Sequence, residues 1–171
     1  MEYTRNSDPD YYNNNRHRAN CGSYALRLRE WYDPEDFLER VEDSCVDEWI
    51  EHMALNGYDN DEITDYYIEI LVDGILQEFD GELELCDGQP PTTSNKELIA
   101  FNGFCYCDDD YYIDYDFHFK VFRDGQWSEK PGCEPVKFCE LDEWGRYTGK
   151  PVYMYHRIDM KGADDEMFGS Y

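Results

Sequence analysis

The chain has 171 residues, enough for one domain with an ordinary hydrophobic core. It carries 40 acidic side chains against 15 lysines and arginines, giving a formal net charge of -25. Such a field repels nucleic acid and anionic membranes and attracts basic partners, so direct nucleic-acid binding and membrane-surface binding are excluded. Aromatic residues make up 17% of the chain, and the large area that they bury favours a folded domain over disorder.

The sequence also predicts the compartment and the state of the thiols. No apolar run reaches the roughly 18 residues that cross a bilayer, and the first 15 residues lack the apolar core of a signal peptide. We therefore expect a cytoplasmic protein of a bacterium or an infected host cell, with virion association left open. The seven cysteines are an odd number, and without an export signal they are expected to be reduced. No cofactor is expected, and the oligomeric state is open.

The first half of the chain is predicted to be helical, over residues 20–79. Residues 1–15 are expected to form a polar tail. Asn20 is a candidate N-cap, which places Cys21 in the first turn of a helix that ends near residues 31–33. A second helix is predicted over residues 33–56, beginning at Asp33 and Pro34, and a third over residues 61–79.

The second half, residues 81–160, is predicted to be rich in strands. Asp124 and Gly125 predict a tight hairpin between strands at residues 114–123 and 127–130. Further strands are expected at residues 81–86, 96–107, 136–139 and 151–157, and residues 161–171 as an acidic tail. Helices followed by strands predict a single α+β domain over residues 16–160.

Three side chains in this order suggest nucleophilic catalysis. Cys21 lies at a helix N-terminus, whose partial positive charge favours a thiolate. His118 lies within a strand, and Glu129 lies on the next strand, where it could orient the imidazole. The Cys21 backbone amide would be one donor to an oxyanion, and Asn20 is assigned an oxyanion or positioning role.

Two motifs carry a resemblance to a known superfamily. Residues 20–26 read NCGSYAL, and residues 114–132 read DYDFHFKVFRDGQWSEKPG. These segments resemble poorly characterised phage and bacterial proteins with NCYxYAL and DYHFYR…DGxWSHKPG motifs, which are similar to papain-like, NlpC-type cysteine peptidases. The resemblance implies a papain-like core with an N-terminal Cys-bearing helix, a helical insertion and a C-terminal antiparallel sheet.

The resemblance also implies a cysteine peptidase or amidase with Cys21 as nucleophile and His118 as base, acting on a peptide or protein substrate. The chain departs from the motifs at two positions. Glu129 replaces the histidine that is the family's orienting residue, and a carboxylate can do that work, although the change also suits an inactive derivative. Gly22 stands where the family often has tyrosine.

Other functions stay open beside the hydrolase. Four cysteines could bind zinc, but their spacing is not that of paired zinc knuckles, and an acidic segment at residues 108–110 lacks the features of a calcium loop. No metal site is therefore predicted. The main alternative is a non-enzymatic acidic viral protein, a DNA mimic or a virion or inhibitor protein, that binds a basic partner. Its candidate surface is a row of acids on the second helix: Glu35, Asp36, Glu39, Glu42, Asp43, Asp47, Glu48 and Glu51.

Overall fold

The computed structural model describes residues 3–158, which form an α+β domain with helices before strands. The predicted acidic tail at residues 161–171 lies outside the described residues. Within them the helices are α1 (Tyr11–Asn14), α2 (Cys21–Leu26), α3 (Glu35–Glu42), α4 (Val46–Leu55) and α5 (Asn60–Glu78). The strands are β1 (Leu83–Cys86), β2 (Lys96–Cys107), β3 (Ile113–Arg123), β4 (Gln126–Glu129), β5 (Lys137–Phe138) and β6 (Val152–Arg157).

The six strands form one antiparallel sheet in the order β1-β6-β2-β3-β4-β5. The predicted hairpin joins β3 to β4, and its turn residues Asp124 and Gly125 both have positive φ, at 55° and 77°, the geometry that a tight two-residue hairpin turn needs. Phe119 and Val121 of β3 are fully buried and belong to one core cluster that also includes residues of the helices. The α+β prediction is thus confirmed.

The helical half differs from the prediction at two points. Helix α2 ends at Leu26, not near residues 31–33, because Arg27 adopts the left-handed conformation (φ 58°) that closes a helix. The helix predicted over residues 33–56 is two helices, α3 and α4, since Asp43 is also left-handed (φ 50°) and ends α3. An aspartate tolerates this conformation better than most residues do.

The first residues also differ from the expected polar tail. Arg5 forms a β-bridge with Leu28, and the Asn6 backbone N–H donates to the carbonyl of Arg27 at 2.8 Å. Tyr12, in α1, is only 3% exposed, and its hydroxyl donates to the Leu28 carbonyl at 2.8 Å. The segment is therefore packed onto the domain and contacts the chain that directly follows α2.

No helix among residues 3–158 combines the length and the apolar character that a membrane span requires. The seven cysteines all fall within this range, and each is a free thiol.

Candidate active site

The N-terminus of α2 is fixed by a capping box. The Asn20 side-chain oxygen accepts from the Ser23 backbone N–H at 3.0 Å, and the Ser23 hydroxyl accepts from the Asn20 N–H at 3.1 Å. Cys21 is consequently the first residue of the helix, where the backbone amides have no acceptor within the helix and are available to a ligand. A polar side chain before CGSYAL was enough to predict this position.

The polar atoms of the Asn20 side chain are hydrogen-bonded to backbone groups. Its amide nitrogen donates to the Tyr32 carbonyl at 2.7 Å, and its oxygen also accepts from the Tyr32 N–H at 3.2 Å. Asn20 is 3% exposed. These contacts are those of a residue that positions Cys21. For an oxyanion donor, the backbone amide at the start of α2 is the better placed group.

Helix α2 packs closely against β3 and β4. A Cβ atom at Gly22 would lie 2.9 Å from Cδ2 of Tyr32 and 3.0 Å from Cε1 of Phe119, so only glycine permits this approach without a shift. The Tyr24 and Ser128 hydroxyls share a 2.6 Å hydrogen bond that links α2 to β4. Glycine at position 22 therefore has a packing reason in this fold.

Lys130, directly after β4, anchors the segment that precedes Cys21. It is fully buried, and its ammonium group donates to the carbonyls of Arg16 (2.5 Å), Ala19 and Gly132 (2.5 Å). A buried ammonium needs such acceptors because an unpaired buried charge is very costly. Sequence reasoning gave this lysine no role, although its place between Trp127 and the Pro-Gly turn in the motif was the available signal.

His118 lies in β3, three residues before the first residue that pairs with β4, which is Val121. Its Nε2 lies 2.6 Å from Oε1 of Glu129, so the structure brings these two predicted residues together. The imidazole is stacked on the ring of Tyr147, with centroids 5.1 Å apart, and it meets the edge of Trp144 at 6.3 Å. The ring is thus held by one hydrogen bond and two aromatic contacts.

Trp144 and Tyr147 belong to the loop between β5 and β6, and the sequence gave them no function. Asn102, the cross-strand partner of His118, donates from its side chain to the Tyr147 carbonyl at 2.9 Å. Lys120 donates to the carbonyls of Glu140 and Glu143 at 2.6 and 2.7 Å. These contacts fold the loop over the sheet face that carries His118. No sequence pattern in the loop indicates this placement.

Cys21 and Glu129 both stabilise the protonated imidazole of His118. Burial alone would lower the pKa of His118, but hydrogen bonding to Cys21 and to Glu129 raises it to about 9. Because Glu129 occupies Nε2, the nitrogen left for the thiol is Nδ1. Burial raises the pKa of Glu129, but its hydrogen bond to His118 and the positive charges of His118, Lys120 and Lys137 together bring the pKa below its usual value. At neutral pH the pair is therefore an imidazolium and a carboxylate.

A cavity of about 230 Å³ opens beside Cys21 and His118. Its rim includes aromatic and acidic side chains that sequence reasoning did not assign to the site. The lining residues are Asn20, Cys21, Trp31, Asp33, Glu35, Asp116, Phe117, His118, Gly132 and Tyr147. A thiol, an imidazole hydrogen-bonded to a carboxylate, and a helix N-terminus next to one cavity are the groups that acyl transfer to a thiol requires.

The chain was compared with protein families, curated proteins and solved structures, and nothing in any of the three matches it. The candidate site therefore rests on its own geometry. Within residues 3–158, the candidate site included, no three potential metal ligands of the His, Cys, Asp and Glu types lie close enough together to hold an ion.

Proposed function

We propose that this chain is a papain-like cysteine hydrolase that cleaves a peptide or isopeptide-type amide. In this proposal Cys21 is the nucleophile, His118 the general base and acid, and Glu129 the residue that orients the imidazole. The observation that carries it is the 2.6 Å hydrogen bond that Nε2 of His118 donates to Oε1 of Glu129, combined with the position of His118 and Cys21 at one cavity.

The reaction would proceed in two balanced stages. The Cys21 sulfur attacks the amide carbon while its proton resides on Nδ1 of His118. Collapse of the tetrahedral intermediate breaks the C–N bond, and the imidazolium gives its proton to the departing amine. Water then attacks the Cys21 thioester, with His118 accepting its proton, and the released thiolate takes that proton back.

The oxyanion formed in both stages needs donors that are aligned in advance. The backbone N–H of Cys21, in the first turn of α2, has the position for one such donor. Lys130 and Asn20 act indirectly. Lys130 holds the chain that precedes Cys21, and Asn20 holds the start of α2. The stacked Tyr147 limits rotation of His118. All three are positioning residues.

Selective alkylation tests this proposal. Iodoacetamide at pH 6–7 should modify Cys21 faster than the exposed Cys45 and Cys133, although Cys21 is buried, because only Cys21 has an imidazole partner. Peptide mass spectrometry gives the three rates in one sample, so the exposed thiols are an internal control. His118→Ala should remove the advantage of Cys21. If Cys21 reacts no faster than the exposed thiols, it is not an activated nucleophile, and the remaining hypothesis is an inactive derivative of a hydrolase.

A second candidate function is binding of a basic protein partner through the acidic helices. In the predicted row, Asp36, Glu42, Asp43, Asp47, Glu48 and Glu51 are exposed, although the break between α3 and α4 divides the row in two. Binding to a basic nuclease should then weaken steeply as salt rises. Binding that does not change with salt, or no binding, would count against this function.

A further inference from the structure

Two carboxylates beside the candidate nucleophile have no cationic partner within residues 3–158. Asp33 accepts from the Glu35 backbone N–H at 2.9 Å, and Glu35 accepts from the Tyr67 hydroxyl at 2.5 Å. Both groups line the cavity of Cys21. The ion pairs of this part of the chain reach neither carboxylate, so their negative charge is balanced only by neutral donors.

This arrangement has an energetic cost that a ligand could relieve. Burial raises the pKa of Asp33, and burial raises that of Glu35 to about 7, because a carboxylate that loses water without gaining a cation is destabilised. A positive group in the cavity would restore the missing partner. Carboxyl groups with a perturbed pKa at a cleft are typical of binding sites.

The remaining wall of the cavity also suits a cation. Asp116, two residues before His118 on β3, shares its strand face and is already paired with Arg146. Trp31 lines the cavity and is 47% exposed, and Tyr147, which is stacked on His118, lines the same cavity. Aromatic faces attract an ammonium group within about 6 Å.

We propose that the cavity selects a lysine-type ammonium group next to the amide that is cleaved, and that Asp33 and Glu35 determine this specificity. The assignment of that amide as a substrate rests on the proposed hydrolase function. Recognition of the ammonium group depends only on the two carboxylates and the aromatic wall, so it can be measured without catalysis.

The test uses the full chain with Cys21→Ser, which removes the thiol. NMR titrations compare Nα-acetyl-lysine methylamide with Nα-acetyl-norleucine methylamide, which has a similar shape and no charge. At near-physiological salt and pH 8, above the pKa of about 7 of Glu35, we expect the lysine amide to bind about tenfold or more tightly. For charges separated by roughly 6 Å in a partly solvated site, each carboxylate should contribute a factor of about three to ten or more.

Variants identify the source of that preference. Asp33→Asn and Glu35→Gln keep their hydrogen-bond acceptors, and each should reduce the lysine preference by about threefold or more. Glu69→Gln, at an exposed position of α5, removes the same charge from the protein and should leave the preference unchanged. Circular dichroism confirms that each variant is folded, and Trp31→Leu gives an independent test of the cavity wall.

Equal binding of the two amides would overturn the inference, and so would a preference that survives both Asp33→Asn and Glu35→Gln. The hydrolase proposal is judged separately by alkylation of Cys21 in the unaltered chain. An unreactive Cys21 with an intact lysine preference would refute the hydrolase and retain the cation site. A reactive Cys21 without a preference for the lysine amide would refute the cation site and retain the hydrolase.

Discussion

Replacing His118 with glutamine should change how the stability of the protein depends on pH. The pKa of His118 in the folded protein is about 9, against an ordinary value near 6.5. Because the folded state binds this proton more tightly, the stabilisation is complete below about pH 6.5 and is lost as pH rises through about 9. Each tenfold difference in proton affinity is worth about 1.4 kcal/mol, so the loss is at most about 3 kcal/mol.

Urea unfolding in a reducing buffer between pH 6 and 9.5 measures this loss. Between pH 6 and 9.5 the free energy of unfolding should fall by up to about 3 kcal/mol more in the unaltered protein than in His118→Gln. Groups that titrate in both proteins contribute equally to the two curves and do not affect this difference. His52→Gln, at an exposed histidine of α4, should follow the unaltered protein. Parallel curves for the unaltered protein and His118→Gln would refute the ion pair between His118 and Glu129.

Three further predictions concern the frame of the site. Gly22→Ala should lower the free energy of unfolding by about 1–3 kcal/mol, because its methyl group would press on Tyr32 and Phe119; unchanged stability in urea would show that α2 can move away. Lys130→Met should lower the free energy of unfolding by about 2–4 kcal/mol, since three backbone carbonyls lose their buried donor, and it should slow Cys21 alkylation. A neutral or stabilising effect would contradict the anchoring role. Two arginines hold the pKa of Glu97 at about 2 despite its burial. The free energy of unfolding that Glu97 contributes above about pH 4.5 should therefore fall by up to about 3 kcal/mol towards pH 2. Acid unfolding of Glu97→Gln should lack this step, and an identical step in both proteins would exclude Glu97 as its source.

The parts of the fold that were predictable depend on local rules. Asp124 and Gly125 specify a hairpin because the turn needs positive φ at both positions. The long helix α5 begins after Asp59, whose side chain caps it together with Glu62. The break at Asp43 was not predictable, because apolar residues continue at helical spacing across it and nothing local requires a left-handed aspartate.

The candidate site was also predictable from the sequence only in part. The position of Cys21 at a helix start follows from its neighbour Asn20, and the proximity of His118 and Glu129 follows from the hairpin between them. The carboxylates of Asp33 and Glu35 reach the cavity only because α2 ends early and the chain returns past it to α3. Such placement depends on long-range packing, which periodicity and capping signals do not encode.

Acyl transfer to Cys21 is the most direct measurement of the central claim. With p-nitrophenyl acetate, the unaltered chain should give a stoichiometric burst of p-nitrophenolate and an acetyl group on Cys21, followed by slower turnover as the thioester is hydrolysed. Cys21→Ser should show no burst, and His118→Ala should acylate slowly and retain the acetyl group. Absence of a burst from the unaltered chain, or acetylation of the exposed Cys45 and Cys133 at the same rate as Cys21, would contradict the account.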